Sequence, residues 1–250
     1  MNLNPSLRLL GLLAGFLLVW QAIVWITGAP PYILPGPIAV LEAWWARPGY
    51  FLFHGGVTAL EIVLGLMLGT LLGCLSGLAL AAHPPLRAWL MPVLVTSQAI
   101  PVFAIAPVLV LWLGYGMASK VAMATLIIYF PVTAAFFDGL RRTPPGWVDM
   151  ARMMDASPAR LLFRLRLPAA LPSLASGIRV AASVAPIGAV VGEWVGSSQG
   201  LGYLMLHANG RMQVDVMFAG LATLAVMAVV LYLALDRLLT RLLPWQPHTA

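Results

Sequence analysis

Six long apolar runs, almost free of charge, constrain this chain more than any other feature. They extend from Leu9 to Ile26, Val57 to Ala82, Ala88 to Leu113, Ala118 to Phe137, Leu171 to Gly192 and Val216 to Leu235. A helix that crosses a bilayer needs roughly 20 mainly apolar residues, which each run approaches or exceeds. Lipid offers no partner to a backbone N–H or C=O, so a spanning segment is helix unless it belongs to a closed barrel. Unbroken apolarity, rather than short alternating stretches, favours helix. Composition agrees, with 61% of the 250 residues hydrophobic and 9% charged, against about half and about a quarter in a soluble domain. The expected fold is an all-α, polytopic membrane bundle of about six transmembrane helices, forming a single domain over residues 1–250. No length is left for a separate soluble enzyme domain.

The first run follows Arg8, as a secretory signal would, but it is long for one, and Ala29 precedes Pro30 and Pro31 rather than a small-residue cleavage site. It reads as a retained first span. The net charge of +6 could point to nucleic acid, but the basic residues flank the apolar runs as topology signals do. One side collects Arg8, Arg87, Arg141, Arg142, Arg152, Arg160, Arg164, Arg166, Arg237 and Arg241, and the other Arg47, Lys120 and Arg211. Short loops rich in Arg stay cytoplasmic, so both termini and the segment between the fourth and fifth runs are expected there, and nucleic acid is not an expected partner. Cys74, the single cysteine, excludes an internal disulfide and reads as packing.

Gly65, Gly69, Gly73 and Gly77 recur every four residues, a smooth strip on one helix face that lets another backbone approach. Pro92, Pro101 and Pro107 fall in the third run and are expected to kink or break it; a kink beside a translocation path and a structurally tolerated one stay equally open. Ionisable groups inside spans usually face a partner or a water-filled cavity. Glu61 can sit near a helix end, Arg179 can snorkel or pair with a carboxylate, and Glu193 is a candidate for a periplasmic gate. His54, His83, His207 and His248 are scattered without ligand spacing, and the chain has no phosphate-binding Gly-rich loop. No metal site, catalytic residue or cofactor is therefore expected in this chain, and no enzyme activity.

Residues 138–168 are too long and too patterned for a plain connection. Thr143 can cap a helix that begins with Pro144 or Pro145. Trp147, Met150, Ala151 and Met154 then share a face. Asp155 can end that helix in the left-handed conformation, and Ser157 and Pro158 start a second helix that runs to about Leu167, before Pro168. Apolar residues mixed with Arg152, Arg160 and Arg164 suit docking to a protein, and equally to anionic lipid headgroups.

Asp149-Met150-Ala151, three residues, Asp155, nine residues, then Leu165-Arg166-Leu167-Pro168 resembles the cytoplasmic coupling signature of ABC importer permeases. That signature reads Glu-Ala-Ala, three residues, Gly, nine residues, Ile, one residue, Leu-Pro. The spacing agrees throughout, while Asp149, Met150 and Asp155 depart from it, and Leu165 mildly. Ile105-Ala106-Pro107, Leu111-Trp112-Leu113-Gly114-Tyr115-Gly116, Gly177-Ile178-Arg179 and Gly200-Leu201-Gly202-Tyr203 are similar to the nitrate, sulfonate and taurine branch. Tyr129-Phe130-Pro131-Val132-Thr133 and Val191-Gly192-Glu193-Trp194-Val195-Gly196-Ser197 look more like its permeases for the thiamine-precursor pyrimidine.

The resemblance implies a type I ABC importer permease in the bacterial inner membrane. Its expected partners are cytoplasmic ATP-binding-cassette subunits that bind the ATP, a periplasmic solute-binding protein and a second permease copy, set in the bilayer. It places coupling to the ATPase on Asp149, Met150, Ala151, Met154, Asp155, Arg160, Leu167 and Pro168, while Glu193, Arg179 and Pro101 are candidates for a gate or path from their positions in the spans. The favoured solute is the pyrimidine precursor, with sulfonate, taurine or nitrate as the alternative. An ion-driven secondary transporter is the rival class; it needs an ion site near the bilayer midplane, and the central parts of the runs lack acidic residues.

Overall fold

The computed structural model describes residues 5–245, with side chains from residue 11 onward. Thr249, His248 and the Arg8 side chain lie outside the described residues. Among the described residues the chain is all helix, with no strand.

The first apolar run becomes α1 (Pro5–Thr27) and ends at Gly28, whose φ is 57°. α1 is lightly held: Trp20 donates its indole N–H to the Pro35 carbonyl at 3.1 Å and packs 5.7 Å from Phe218. A short helix that the apolar runs did not mark, α2 (Pro37–Ala46), follows and hydrogen-bonds through Trp44 to Thr223 at 3.1 Å. α3 (Pro48–Ala82) begins nine residues before the expected Val57. Its first turns hold His54 and Gly55, ahead of the apolar run, and Thr58 at its start, all three buried.

The third run is not one span. It breaks into α4 (Pro84–Ser97) and α5 (Val102–Leu113), bent by 102°. Pro101 stands at the break with φ −60° and ψ 123°; it has no N–H for the turn before it, and proline biases the residue before it toward extended backbone. Pro92 and Pro107 stay inside α4 and α5, so one of the three prolines makes the break.

α6 (Met117–Arg141) leads to the excursion α7 (Pro145–Met153) and α8 (Pro158–Leu161), then a π-helical turn, Leu162–Arg166, and α9 (Leu167–Gly196). The short α10 (Leu201–Gly210) and the long α11 (Val214–Leu242) complete the chain. Four stretches are long and apolar enough to span a membrane, namely α3, α6, Pro158–Gly196 and α11, while the bent α4/α5 pair passes the same test only when its two helices are taken together.

α6 is the central helix, with α3 on one side and α9 on the other. The glycine strip of α3 makes the first contact. A Cβ built on Gly65, Gly69, Gly73 or Gly77 would stand 2.5–2.8 Å from Ala124, Ile128, Val132 and Phe136 in turn. Those four partners recur every fourth residue along α6, as the glycines do along α3. On the other side, a Cβ on Gly188 of α9 would stand 2.7 Å from the Ala124 Cα. α3, α6 and α9 thus form one body whose backbones nearly touch, the arrangement small residues permit where no hydrophobic effect drives helices together.

Candidate functional site

Candidate side chains gather at the two ends of α9. At its start lies the excursion between α6 and α9. Pro144, not Thr143, is the N-cap of α7. Thr143 is buried, and its hydroxyl donates back to the Leu140 carbonyl at 3.4 Å, so it closes α6 instead of opening α7. Val148 seats α7 on the body, while Trp147, Met150, Met153 and Met154 are between 52% and 81% exposed. Ala151 is half-buried between them. Asp149 pairs with Arg152 at 3.5 Å, with both side chains about two-thirds exposed, which makes it a weak contact.

Asp155 turns the chain at φ 52°. Its N–H donates to the Arg152 carbonyl, and the Ala156 N–H to the Ala151 carbonyl, both at 3.0 Å. These two bonds are the Schellman closure of a helix, with Asp155 at the left-handed position. Ser157 caps α8 by accepting from the Arg160 N–H at 3.4 Å.

The second helix does not stop before Pro168. The Leu167 N–H reaches five residues back to the Leu162 carbonyl, and Pro168 falls in the first turn of α9. A π-turn upstream is one of the local adjustments by which a helix accommodates a proline, so the chain runs helical from Pro158 to Gly196. Leu167 packs beside Phe136, Leu140 and Ala170, whereas Arg160 and Pro168 are exposed.

At the far end of α9 is a buried polar centre. Glu193 is 1% exposed. Its Oε1 accepts from the Thr58 hydroxyl at 2.6 Å, and its Oε2 accepts from the Gly202 N–H. Thr58 Oγ1 also accepts from the Leu201 N–H at 2.8 Å, and His54 Nδ1 accepts from the Gly200 N–H at 2.9 Å. Glu61 adjoins Glu193 and meets the Lys120 ammonium at 3.7 Å, without a hydrogen bond to either of its own oxygens. Glu61 is therefore not near a helix end: it lies thirteen residues inside α3 and is fully buried. Lys120 is not a loop residue either; it sits in the first turn of α6, 6% exposed.

The three gate candidates do not converge. Arg179 Nε donates to Asp236 Oδ1 at 2.6 Å, tying α9 to α11. It stands fourteen residues from Glu193 along α9, about 21 Å at helical rise. Pro101 is exposed at the α4/α5 break.

Residues 65–246 match the family described as binding-protein-dependent transport system inner membrane component. The chain belongs to this family. Among the relatives of this permease is a probable ABC transporter permease protein of Haemophilus influenzae, 58% identical over 90% of this chain and 92% of that one. The formylaminopyrimidine transport permease protein of Halalkalibacterium halodurans is 36% identical over 98% and 96%. The riboflavin transport system permease protein of Chloroflexus aurantiacus is 38% identical over 95% and 90%. A chain of the inward-facing MetNI methionine ABC transporter shares the fold, with a TM-score of 0.64 and 18% identity over 82% of this chain and 96% of that one. The permease is thus a multi-pass inner-membrane subunit of an ABC importer and not an enzyme, which sets aside the secondary-transporter rival.

Sequence reasoning picked out Glu61, Glu193 and Arg179 singly and missed His54, Thr58 and Lys120 of the permease. A signal was present. His54, Thr58 and Glu61 are spaced by four and three residues, and Gly65 to Gly77 continue the same row, so the polar stripe and the glycine strip share one face of α3.

Proposed function

We propose that this permease subunit carries a nitrogen heterocycle of the thiamine-precursor pyrimidine class, delivered by a periplasmic binding protein. The observation that carries the reading is the formylaminopyrimidine relative, which aligns over nearly its whole length with this chain. Flavin is itself built on a fused pyrimidine ring, so the riboflavin relative favours the same broad class over sulfonate, taurine or nitrate. The chain acts as a single permease domain over residues 1–250, paired with a second copy and with two cytoplasmic ATPase subunits that bind the ATP.

Residues 138–168 are the coupling segment within that domain. The bare apolar face of α7, with Met150 and Met154, docks on the ATPase, together with Asp149, Ala151, Asp155 and Arg160. Leu167 and Pro168 join the segment to α9. Glu193 belongs to the gate, with Arg179 and Pro101 on the path side of the bundle. Both termini and the coupling segment face the cytoplasm, which puts the polar centre on the periplasmic side. Differential stability of outward- and inward-facing states, biased by ATP, moves the solute.

Uptake by the reconstituted importer with its cognate binding protein tests the substrate. Accumulation of labelled formylaminopyrimidine or hydroxymethylpyrimidine is expected. Transport of a sulfonate without pyrimidine uptake would reverse the order of the two readings.

A further inference from the structure

Every helix starts with backbone N–H groups that have no partner within it, and Ser, Thr, Asp or Asn just before the first turn is the usual local remedy. α10 uses none. Its N-cap is Gly200, at φ 105°, with no side-chain cap of its own. The N–H groups of Gly200, Leu201 and Gly202 are instead taken by His54, Thr58 and Glu193, from two other helices. The fit leaves no slack, since a Cβ on Gly200 would run into the Glu193 carboxylate, and one on Gly202 would stand 2.8 Å from its Oε2. Lys120 is held by Glu61, so the Glu193 carboxylate is spent on Thr58 and α10.

A local cap would hold α10 folded wherever it went. A cap made by α3 and α9 holds it only against those two helices, which belong to the close-packed α3/α6/α9 body. That body takes in both ends of the coupling excursion: α6 runs into it, and the helix Pro158–Gly196 runs out of it without a break. α9 alone is 30 residues, about 45 Å at helical rise, so its two ends lie on opposite faces of the bundle.

We infer that Glu193, with Thr58 and His54, is a positioning latch that welds α10 to the α3/α6/α9 body, so that movement of the coupling segment carries α10 with it. This rests on the importer reading, because the movement comes from the ATPase. The latch turns a displacement on one face of the membrane into a displacement of a short helix at the other.

The test is a distance between spin labels at Phe53 of α3 and Asn209 of α10, both exposed, in a Cys74→Ala background, measured in the full importer without nucleotide and after vanadate trapping. In importers that carry the label pair in one of the two permease copies, with the chain otherwise native, one narrow distribution is expected in both states. Glu193→Ala should broaden it in both, and should lower transport per ATP hydrolysed by about tenfold, the scale of the hydrogen bond that the Gly202 N–H loses. Glu193→Gln should restore the narrow distribution, since its amide oxygen still accepts from Gly202, and the Thr58 hydroxyl has the His54 carbonyl at 3.2 Å as another acceptor. Should Glu193→Ala fail to insert, Thr58→Val takes its place, with Thr58→Ser as the rescue.

A narrow distribution with native transport in the Ala or Val variant would overturn the latch. So would a native α3–α10 distance that changes on trapping. Failure of the native chain to bring down an ATPase would instead overturn the importer reading, while the nucleotide-free distances would still judge the latch.

Discussion

Asp155 stands where the coupling signature has glycine, and the structure puts it at φ 52° in the closure of α7. Glycine reaches that region without a steric penalty, and aspartate is among the few other residues that visit it. Asp155→Gly is expected to keep transport and insertion at native levels. Asp155→Val adds a β-branched side chain at positive φ, a cost on the order of 1–2 kcal/mol, and is expected to abolish substrate-stimulated ATP hydrolysis while the chain still inserts. Reconstituted ATPase assays on the two variants decide, and equal stimulation in both would remove the turn from the coupling mechanism. Single residues whose backbone chemistry is special, such as Asp155 and Ser157, were readable from the sequence because their constraint is local. Thr143 was misread because the sequence cannot tell a hydroxyl that caps forward from one that bonds back to its own helix. Lys120 was misread because the lone lysine of an apolar stretch looks like a boundary until Glu61, fifty-nine residues earlier, is seen beside it.

Among the elements, α3 carries the most instruction. Its single row carries His54 and Thr58 of the latch, then Glu61, then the four glycines of the packing seam. Gly69→Val would put a branched side chain where the Ile128 Cγ2 stands 2.6 Å from a single added Cβ, with the Thr125 carbonyl at 3.3 Å. Neither helix can yield locally, so destabilisation at the upper end of the roughly 1–3 kcal/mol typical of overpacking is expected, read as a lower midpoint in thermal unfolding of the detergent-purified permease. Gly56, on another face with nothing within 4 Å of an added Cβ, should accept alanine without a shift. The apolar runs gave the positions of the long helices, because lipid imposes that pattern on any spanning segment. They did not reveal α2 or α10, which are short and supported by packing, nor the π-turn, which depends on which backbone acceptors remain free ahead of Pro168. All three prolines of the third run were expected to kink or break it, and the α4/α5 break falls at Pro101 alone.

At the scale of the molecule, the arginine asymmetry predicts the excursion α7/α8 on one side of the membrane and the loop after α9 on the other. Ser157 and Ser198 are both exposed in these two places. With Cys74 replaced by alanine, Ser157→Cys is expected to label only from the cytoplasmic side, and Ser198→Cys only from the periplasmic side, with membrane-impermeant maleimide. Labelling of Ser157→Cys from outside would invert the topology and with it the coupling assignment.

The burial of Glu61 against Lys120 also bears on how the chain is made. A ribosome adds about 5–20 residues per second, so α3 reaches the bilayer roughly 3–12 s before Lys120 is synthesised. During that interval Glu61 has no basic partner from α6, and a carboxyl group among lipid tails takes up a proton rather than staying charged. α3 can therefore enter the bilayer with Glu61 neutral, and the glycine seam lets α3 and α6 close together once α6 emerges. Glu193 comes seventy-three residues after Lys120, followed at once by the Gly200–Gly202 amides it will hold. The polar groups of α3 thus find their partners in stages, Lys120 first and the Gly200–Leu201 amides later.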